Sequence, residues 1–477
     1  MARRTLLPLA GAVVAAAALA LTLLPAGADA ARPLDVGFAD HLYEGDQSDL
    51  WLERTGRVNA DVIRVNMLWS LVAFNEPADP RDPADPDYNW MGYDTAIRNA
   101  VERGFEVDLT VMWAPPWAEG PNRPGREKAP AGSWKPDANA FGDFAHAVAE
   151  RYSGSYEVGS RVLPRVKFFE AWNEPNLGTY ITPQFNGRRN VSADIYVKLL
   201  NRFYEGVKAE SPRSLVVTGG TAPYGDEPGR RAMKTGPLQF ARELMCLNRK
   251  LRRSSCPSGE RPKFDIYAHH PINRASPPTA HGPRDDDIMI ADFKDLTRTV
   301  RAAERRNTIA TPGRHGLWAN EVWWQTDPPD KGEGVPPPTQ ARWMQQALYL
   351  LWKQGASNVS FLQFRDAKYK PGEYTLDSYQ TGVYYYNGKP KPSARAIAFP
   401  FVTDRRNKRT LLVWGKAPSS GELTITANRE GGVGYRRVKT LRVREGGVFT
   451  ARLKLRGSAK LRARVGKSRS LVWRQEG

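Results

Sequence analysis

Eight times between Arg32 and Pro400, a short apolar run gives way to a longer segment of helical period, and this alternation restricts the chain more than any other feature. The runs are LDVGF (34–38), DVIRVNMLW (61–69), EVDLTVMW (106–113), RVKFFEAW (165–172), SLVVTGG (214–220), FDIYAHH (264–270), HGLWANEVWW (315–324) and SNVSFLQF (357–364). Between them lie amphipathic stretches such as YDTAIRNAVERG and ARWMQQALYLLWKQG, with apolar residues three and four apart and a closing Gly. Strands that alternate with helices build parallel sheets, and eight such units over this length predict a (β/α)8 barrel across residues 31–400. A doubly wound open sheet competes, but it would carry a Gly-rich phosphate turn after its first strand, and LDVGFADH has none.

Beyond Phe399-Pro400 the texture changes. Short alternating runs (TLLVWG, LTITA, FTARLKL) separated by PSSG, REGGVG and RGS predict a small antiparallel β-sandwich over residues 401–477. That segment holds 20 Lys and Arg against 5 Asp and Glu, so +15 of the formal net charge of +19 lies there. Such a domain attracts polyanions, an anionic cell-wall polymer among them, whereas the plain alternative is a solvated basic face that keeps it soluble. Nucleic acid is not expected as a partner.

Export is expected from the N-terminus. Arg3-Arg4, an apolar run from Leu6 to Leu24 and the sequence Ala28-Asp29-Ala30 read as a signal peptide over residues 1–30, with an uncleaved anchor as the alternative. No other run is apolar enough to span a membrane, so none is expected after signal removal. In an oxidising compartment Cys246 and Cys256, in CLNRKLRRSSC, are expected to form a disulfide. No Cys and His spacing resembles a metal site, and no metal or cofactor is expected.

The tripeptide Asn-Glu-Pro occurs twice. Barrel chemistry sits where strands end, because that rim alone brings distant residues around one pocket. Glu174 follows the fourth run directly, whereas Glu76 lies in a loop of Asp-Pro pairs and reads as a turn residue. Glycoside hydrolysis needs an acid and an opposing carboxylate, and Glu321 at the end of the seventh run supplies the second.

Glu174 within WNEPN, Glu321 within WANEVWW, Arg64 in VIRVNMLW and the pair in YAHHP together resemble the clan A glycoside hydrolases, families 5 and 39 above all. The resemblance covers roughly residues 33–400. It implies a retaining β-glycosidase acting on a poly- or oligosaccharide, with Glu174 as acid/base, Glu321 as nucleophile and Asn173 bonded to the sugar 2-hydroxyl. Arg64 would keep the nucleophile ionised. His270 is expected to face the pocket, since alternation along FDIYAHH turns His269 to the other side. Trp113, Trp117, Trp323 and Trp324 are candidate sugar platforms, although indoles also fill cores. Where relatives place a strand-eight tryptophan this chain has SFLQFRDA, so Gln363 or Asp366 is the candidate contact there. A barrel that binds glycan at an anionic surface without cleaving it is the alternative reading.

Overall fold

The computed structural model describes residues 31–227 and 233–477, so the expected signal peptide lies outside the described residues. Eight parallel strands close into a barrel: β1 (Asp35–Ala39), β2 (Val62–Leu68), β3 (Glu106–Met112), β4 (Phe168–Ala171), β5 (Leu215–Thr218), β6 (Ile266–His269), β7 (Gly316–Val322) and β8 (Asn358–Leu362). Each pairs with its neighbours in sequence, and β8 returns to β1 through five residue pairs from Asp35–Asn358 to Ala39–Leu362. Every strand falls inside its apolar run or within one residue of it. The fourth is the most shortened, because Val166 N is bonded to Tyr152 O rather than to a neighbouring strand.

A helix follows each strand: α1 (Ser48–Arg57), α2 (Tyr93–Glu102), α3 (Ala138–Arg151), α4 (Ser192–Glu210), α5 (Pro237–Leu244), α6 (Phe293–Arg305), α7 (Pro337–Gln354) and α8 (Pro392–Ala398). Their apolar faces cover the outside of the barrel, which is why strands such as β3 and β8 are buried on both sides. The barrel interior has two layers. Toward the start of the strands Phe168, Val217, Ile266, Ala268 and Trp318 form an apolar plug, with the Phe168 and Trp318 rings edge to face at 4.6 Å. Above it the interior is polar, and Arg64, Asp108, Thr110, Glu170 and Asn320 are all buried there.

The last residue of α8 is Ala398, and the first strand of the C-terminal sandwich begins at Phe401. One sheet joins β9 (Phe401–Asn407), β10 (Thr410–Lys416) and β13 (Val448–Lys454). The other runs β12 (Arg436–Val443), β11 (Gly421–Arg429) and β14 (Ala459–Val465), with the short β15 (Ser468–Arg469) and β16 (Trp473–Gln475) both paired to β14. In β14 buried residues alternate with more exposed Lys and Arg, the half-buried face that period-2 patterning predicts.

Cys246 and Cys256 are joined in a disulfide just after α5. No helix among the described residues is long and apolar enough to cross a membrane.

Candidate active site

At the carboxyl end of the barrel a cavity of about 530 Å3 opens, lined by residues that follow seven of the eight strands. Glu174 and Glu321 both line it. An oxygen of each, together with a nitrogen of His270, lies within 4.8 Å of the others. Retaining glycosidases hold their carboxyl groups about 5 to 5.5 Å apart, whereas inverting ones leave about 6.5 to 9.5 Å for a water. The pair therefore has the close spacing.

The backbone that presents Glu174 is strained. Trp172 has φ 77° and Glu174 φ 38°, left-handed conformations that non-glycine residues adopt at a cost of about 1–3 kcal/mol each. They persist because neighbouring strands hold them: Trp172 N donates to Val111 O at 2.9 Å, and Glu174 N to Gly220 O at 3.0 Å. Trp172 Nε1 donates to Tyr180 O at 2.9 Å. The turn swings Glu174 inward, over the mouth. Trp113 and Gln363, the residues immediately after β3 and β8, share the same conformation at φ 60° and 61°.

His270 sits between the two carboxylates. Its Nδ1 shares a hydrogen bond with Glu174 Oε1 at 3.0 Å and lies 3.6 Å from Glu321 Oε2. Burial pushes this imidazole down to about 4, so it is neutral near pH 7. His269 faces outward instead, bonded to Thr221 Oγ1 at 2.8 Å and Ile288 O at 3.0 Å. Burial also pushes Glu174 up to about 7, against the opposing charges of Arg64 and Lys234 and with help from Glu170. A carboxyl poised there can give and take a proton near neutrality. Glu321 is raised as well, by burial first and by Glu174, while His270 and Arg64 pull it back.

Arg64 does more than face Glu321, from which its Nη1 is 3.6 Å. Its main partner is Glu170, whose Oε2 accepts from Arg64 Nε at 2.9 Å, Thr110 Oγ1 at 2.7 Å and Asn320 Nδ2 at 2.9 Å. Arg64 Nη2 in turn donates to Asn173 Oδ1 at 2.9 Å, which orients the residue beside Glu174. Burial opposes charge on Glu170, but Arg64, His270 and these hydrogen bonds hold its carboxyl below the ordinary range. Asp108, 3.9 Å from Arg64, goes the other way: burial first and then the Glu170 charge push its carboxyl well above the ordinary range. Among the described residues Glu174, His270 and Glu321 form the one group with donors close enough for a metal ion. The guanidinium beside Glu321 opposes a cation there.

The aromatic candidates divide. Trp113 lines the cavity with its ring stacked on Tyr180 at 5.7 Å and 9°, and Trp323 lines it against Tyr379 at 5.4 Å. Trp117 and Trp324 lie outside it. Trp117 packs edge to face on Trp69 and donates to Ala73 O, and Trp324 is buried on Trp343 and donates to Ser276 O. Gln363 lines the cavity, yet its amide is already engaged by Leu376 O and Thr381 Oγ1. Asp366 is buried and paired with Lys391 at 2.6 Å. Glu76 is an exposed loop residue. Sequence reasoning missed Glu170, Asp108, Tyr180 and Tyr379. An acid inside a buried strand run, as in FFEAW and EVDLTV, was the available signal for the first two, since a buried charge needs a partner.

No protein-family model matches the sequence, and no curated protein matches it. Solved structures do. A family 39 glycoside hydrolase from the gut symbiont Bacteroides cellulosilyticus WH2 superposes with TM-score 0.53 at 16% identity, over 89% of this chain and 81% of that one. The chain has that protein's fold. Also similar are a GH39 β-xylosidase from Caulobacter crescentus (TM-score 0.49, 15% identity, 90% of this chain and 98% of that one) and GH5_18 from Streptomyces cattleya in complex with GlcNAc. The latter gives TM-score 0.49 at 16% identity over 77% of this chain and 79% of that one.

Proposed function

We propose that this chain is an exported retaining glycoside hydrolase that cleaves β-glycosidic bonds of a poly- or oligosaccharide by double displacement. One observation carries the reading: a carboxyl raised to about 7 and a second carboxyl, with oxygens within 4.8 Å, meet over one cavity at the strand ends of a barrel. In the first half-reaction the Glu174 proton passes to the glycosidic oxygen as the Glu321 carboxylate bonds to the anomeric carbon, and the carbon–oxygen bond breaks. Esterification then removes the Glu321 charge. In the second half a water attacks the anomeric carbon, gives its proton to Glu174 and displaces Glu321. His270, neutral and bonded to Glu174, holds the acid in place through both halves. Export places the enzyme where the basic sandwich meets an anionic wall polymer.

A panel of aryl β-glycosides tests this. The wild type is expected to hydrolyse at least one member with retention, read by NMR of the first-formed anomer. Glu174→Gln and Glu321→Gln are each expected to lose about 10^2 to 10^4 in rate, the usual worth of an acid–base group or more. Equal inertness of all three proteins on every glycoside would sink the proposal and leave a glycan-binding barrel.

A further inference from the structure

The five-stranded sheet of the sandwich turns one face away from its own core, and the cross-strand register fixes what that face carries. Along the central strand β11, Leu423, Ile425 and Ala427 are buried, so Thr424, Thr426 and Asn428 point outward. Register places Arg442 beside Glu422 and Arg437 beside Thr426 on one flank. On the other flank Arg464 pairs with Thr424, Arg462 with Thr426 and Lys460 with Asn428. The next strands out add Arg469 beside Arg464 and Arg474 beside Lys460.

Seven cations thus share a face with a single acid, Glu422. None of the seven takes part in an ion pair among the described residues, although basic residues elsewhere in the domain do, as Lys416 with Asp61 and Arg406 with Asp404. The central row is made of short polar side chains, one flank of Arg464, Arg462 and Lys460, and the other of Arg442 and Arg437 on either side of Thr440, which makes a trough. Six residue steps along β11 give it a length of about 20 Å. On its floor Thr426 Oγ1 and Asn428 Oδ1 are buried from solvent and have no hydrogen-bond partner. The one aromatic group beside it, Tyr435, is already covered by the Arg462 guanidinium 3.9 Å from its centroid.

We propose that this trough binds a linear acidic polysaccharide, its carboxylates on the flanking arginines and its hydroxyl groups on the Thr424, Thr426 and Asn428 floor. Only the choice of partner rests on the glycosidase reading above. Three features favour this occupant. Guanidinium groups match carboxylates in a planar, two-point fit that a bare ammonium does not give. A floor of hydroxyl and amide groups suits sugar hydroxyls. Single-stranded nucleic acid would want free aromatic faces for its bases, and a membrane would want an apolar rim, and the trough has neither.

The test uses the full chain and its Arg437→Gln/Arg462→Gln/Arg464→Gln variant, with polygalacturonate as probe and dextran as the neutral control. Binding of polygalacturonate at low salt, none of dextran, and a loss of about tenfold or more in the variant at unchanged melting temperature are expected, with the affinity falling as salt screens the charges. Equal binding by the variant, or tighter binding of a homopolymeric single-stranded DNA or of phosphatidylglycerol vesicles than of polygalacturonate, would overturn the proposal. Aryl glycoside hydrolysis is measured on the same preparations. Hydrolysis without polyuronate binding defeats the trough alone, and binding without hydrolysis defeats the glycosidase alone.

Discussion

Gly220 supports the site from behind without touching the cavity. Its carbonyl receives the Glu174 N–H, its own N–H donates to Glu170 Oε1 at 2.9 Å, and a Cβ there would run into the His270 ring and come within 2.8 Å of Asn320 Oδ1. Gly220→Ala is therefore expected to push His270 off Glu174 and to reduce kcat/KM by about a hundredfold or more, the lower end of what an acid–base group supplies. Adding the same change to His270→Ala should cost less than the two single losses multiplied together, because the colliding ring is gone and only the Asn320 contact remains, and losses that multiply in full would rule this mechanism out. Protonation follows similar local logic. With Glu174 near 7, kcat/KM is expected to fall as pH rises through about 7, since the acid form is then lost. Lys234 favours the charged carboxylate, so Lys234→Gln should move that alkaline limb to higher pH, and a limb that stays or moves down would contradict it.

At the scale of elements, the loop after β8 is held by a buried ion pair. Lys391 Nζ contacts Asp366 Oδ1 at 2.6 Å, Thr326 Oγ1 at 2.9 Å and Gln380 O at 3.0 Å, tying the start of α8 to the loops after β7 and β8. Lys391→Met leaves the Asp366 carboxyl buried without its cation and is expected to cost about 3–5 kcal/mol in urea unfolding. The double variant Lys391→Met/Asp366→Asn should recover part of that loss, and no recovery would show that packing, not charge, sets the cost. The pair also shows what was legible in the sequence. Eight strands could be read because each is an apolar run followed by an amphipathic stretch, and Glu174 and Glu321 because they stand at strand ends. Asp366 read as a sugar contact because its partner lies 25 residues on, across a loop whose path no local pattern encodes. Tyr180 and Tyr379 were illegible for the same reason: they reach the cavity from loops. Trp117 and Trp324 resembled platforms because a sequence does not say which way a side chain after a strand turns.

Over the whole molecule, barrel and sandwich share one core. Trp414 of β10 is fully buried with its ring 5.8 Å from Tyr349 and 5.9 Å from Trp352, both on α7, and Gln345 of the same helix accepts the Phe401 N–H at 3.1 Å. Asp404 of β9 receives hydrogen bonds from Tyr349 and Lys353, and Lys416 reaches Asp61 just before β2. Helix α7 directly follows the strand that bears Glu321, so the seam is one helix away from the proposed nucleophile. A tether between independent domains would leave such a seam polar and sparse. Wild-type protein is accordingly expected to melt in a single calorimetric transition. Trp414→Ala removes the central indole of the seam, at a cost of about 3–5 kcal/mol for an aromatic-to-alanine change in a core. If the seam couples the two parts, that variant should lower the melting temperature of the barrel itself, followed through loss of aryl glycoside hydrolysis on heating. A variant whose sandwich melts early while hydrolysis survives to the wild-type temperature would show instead that the barrel stands alone.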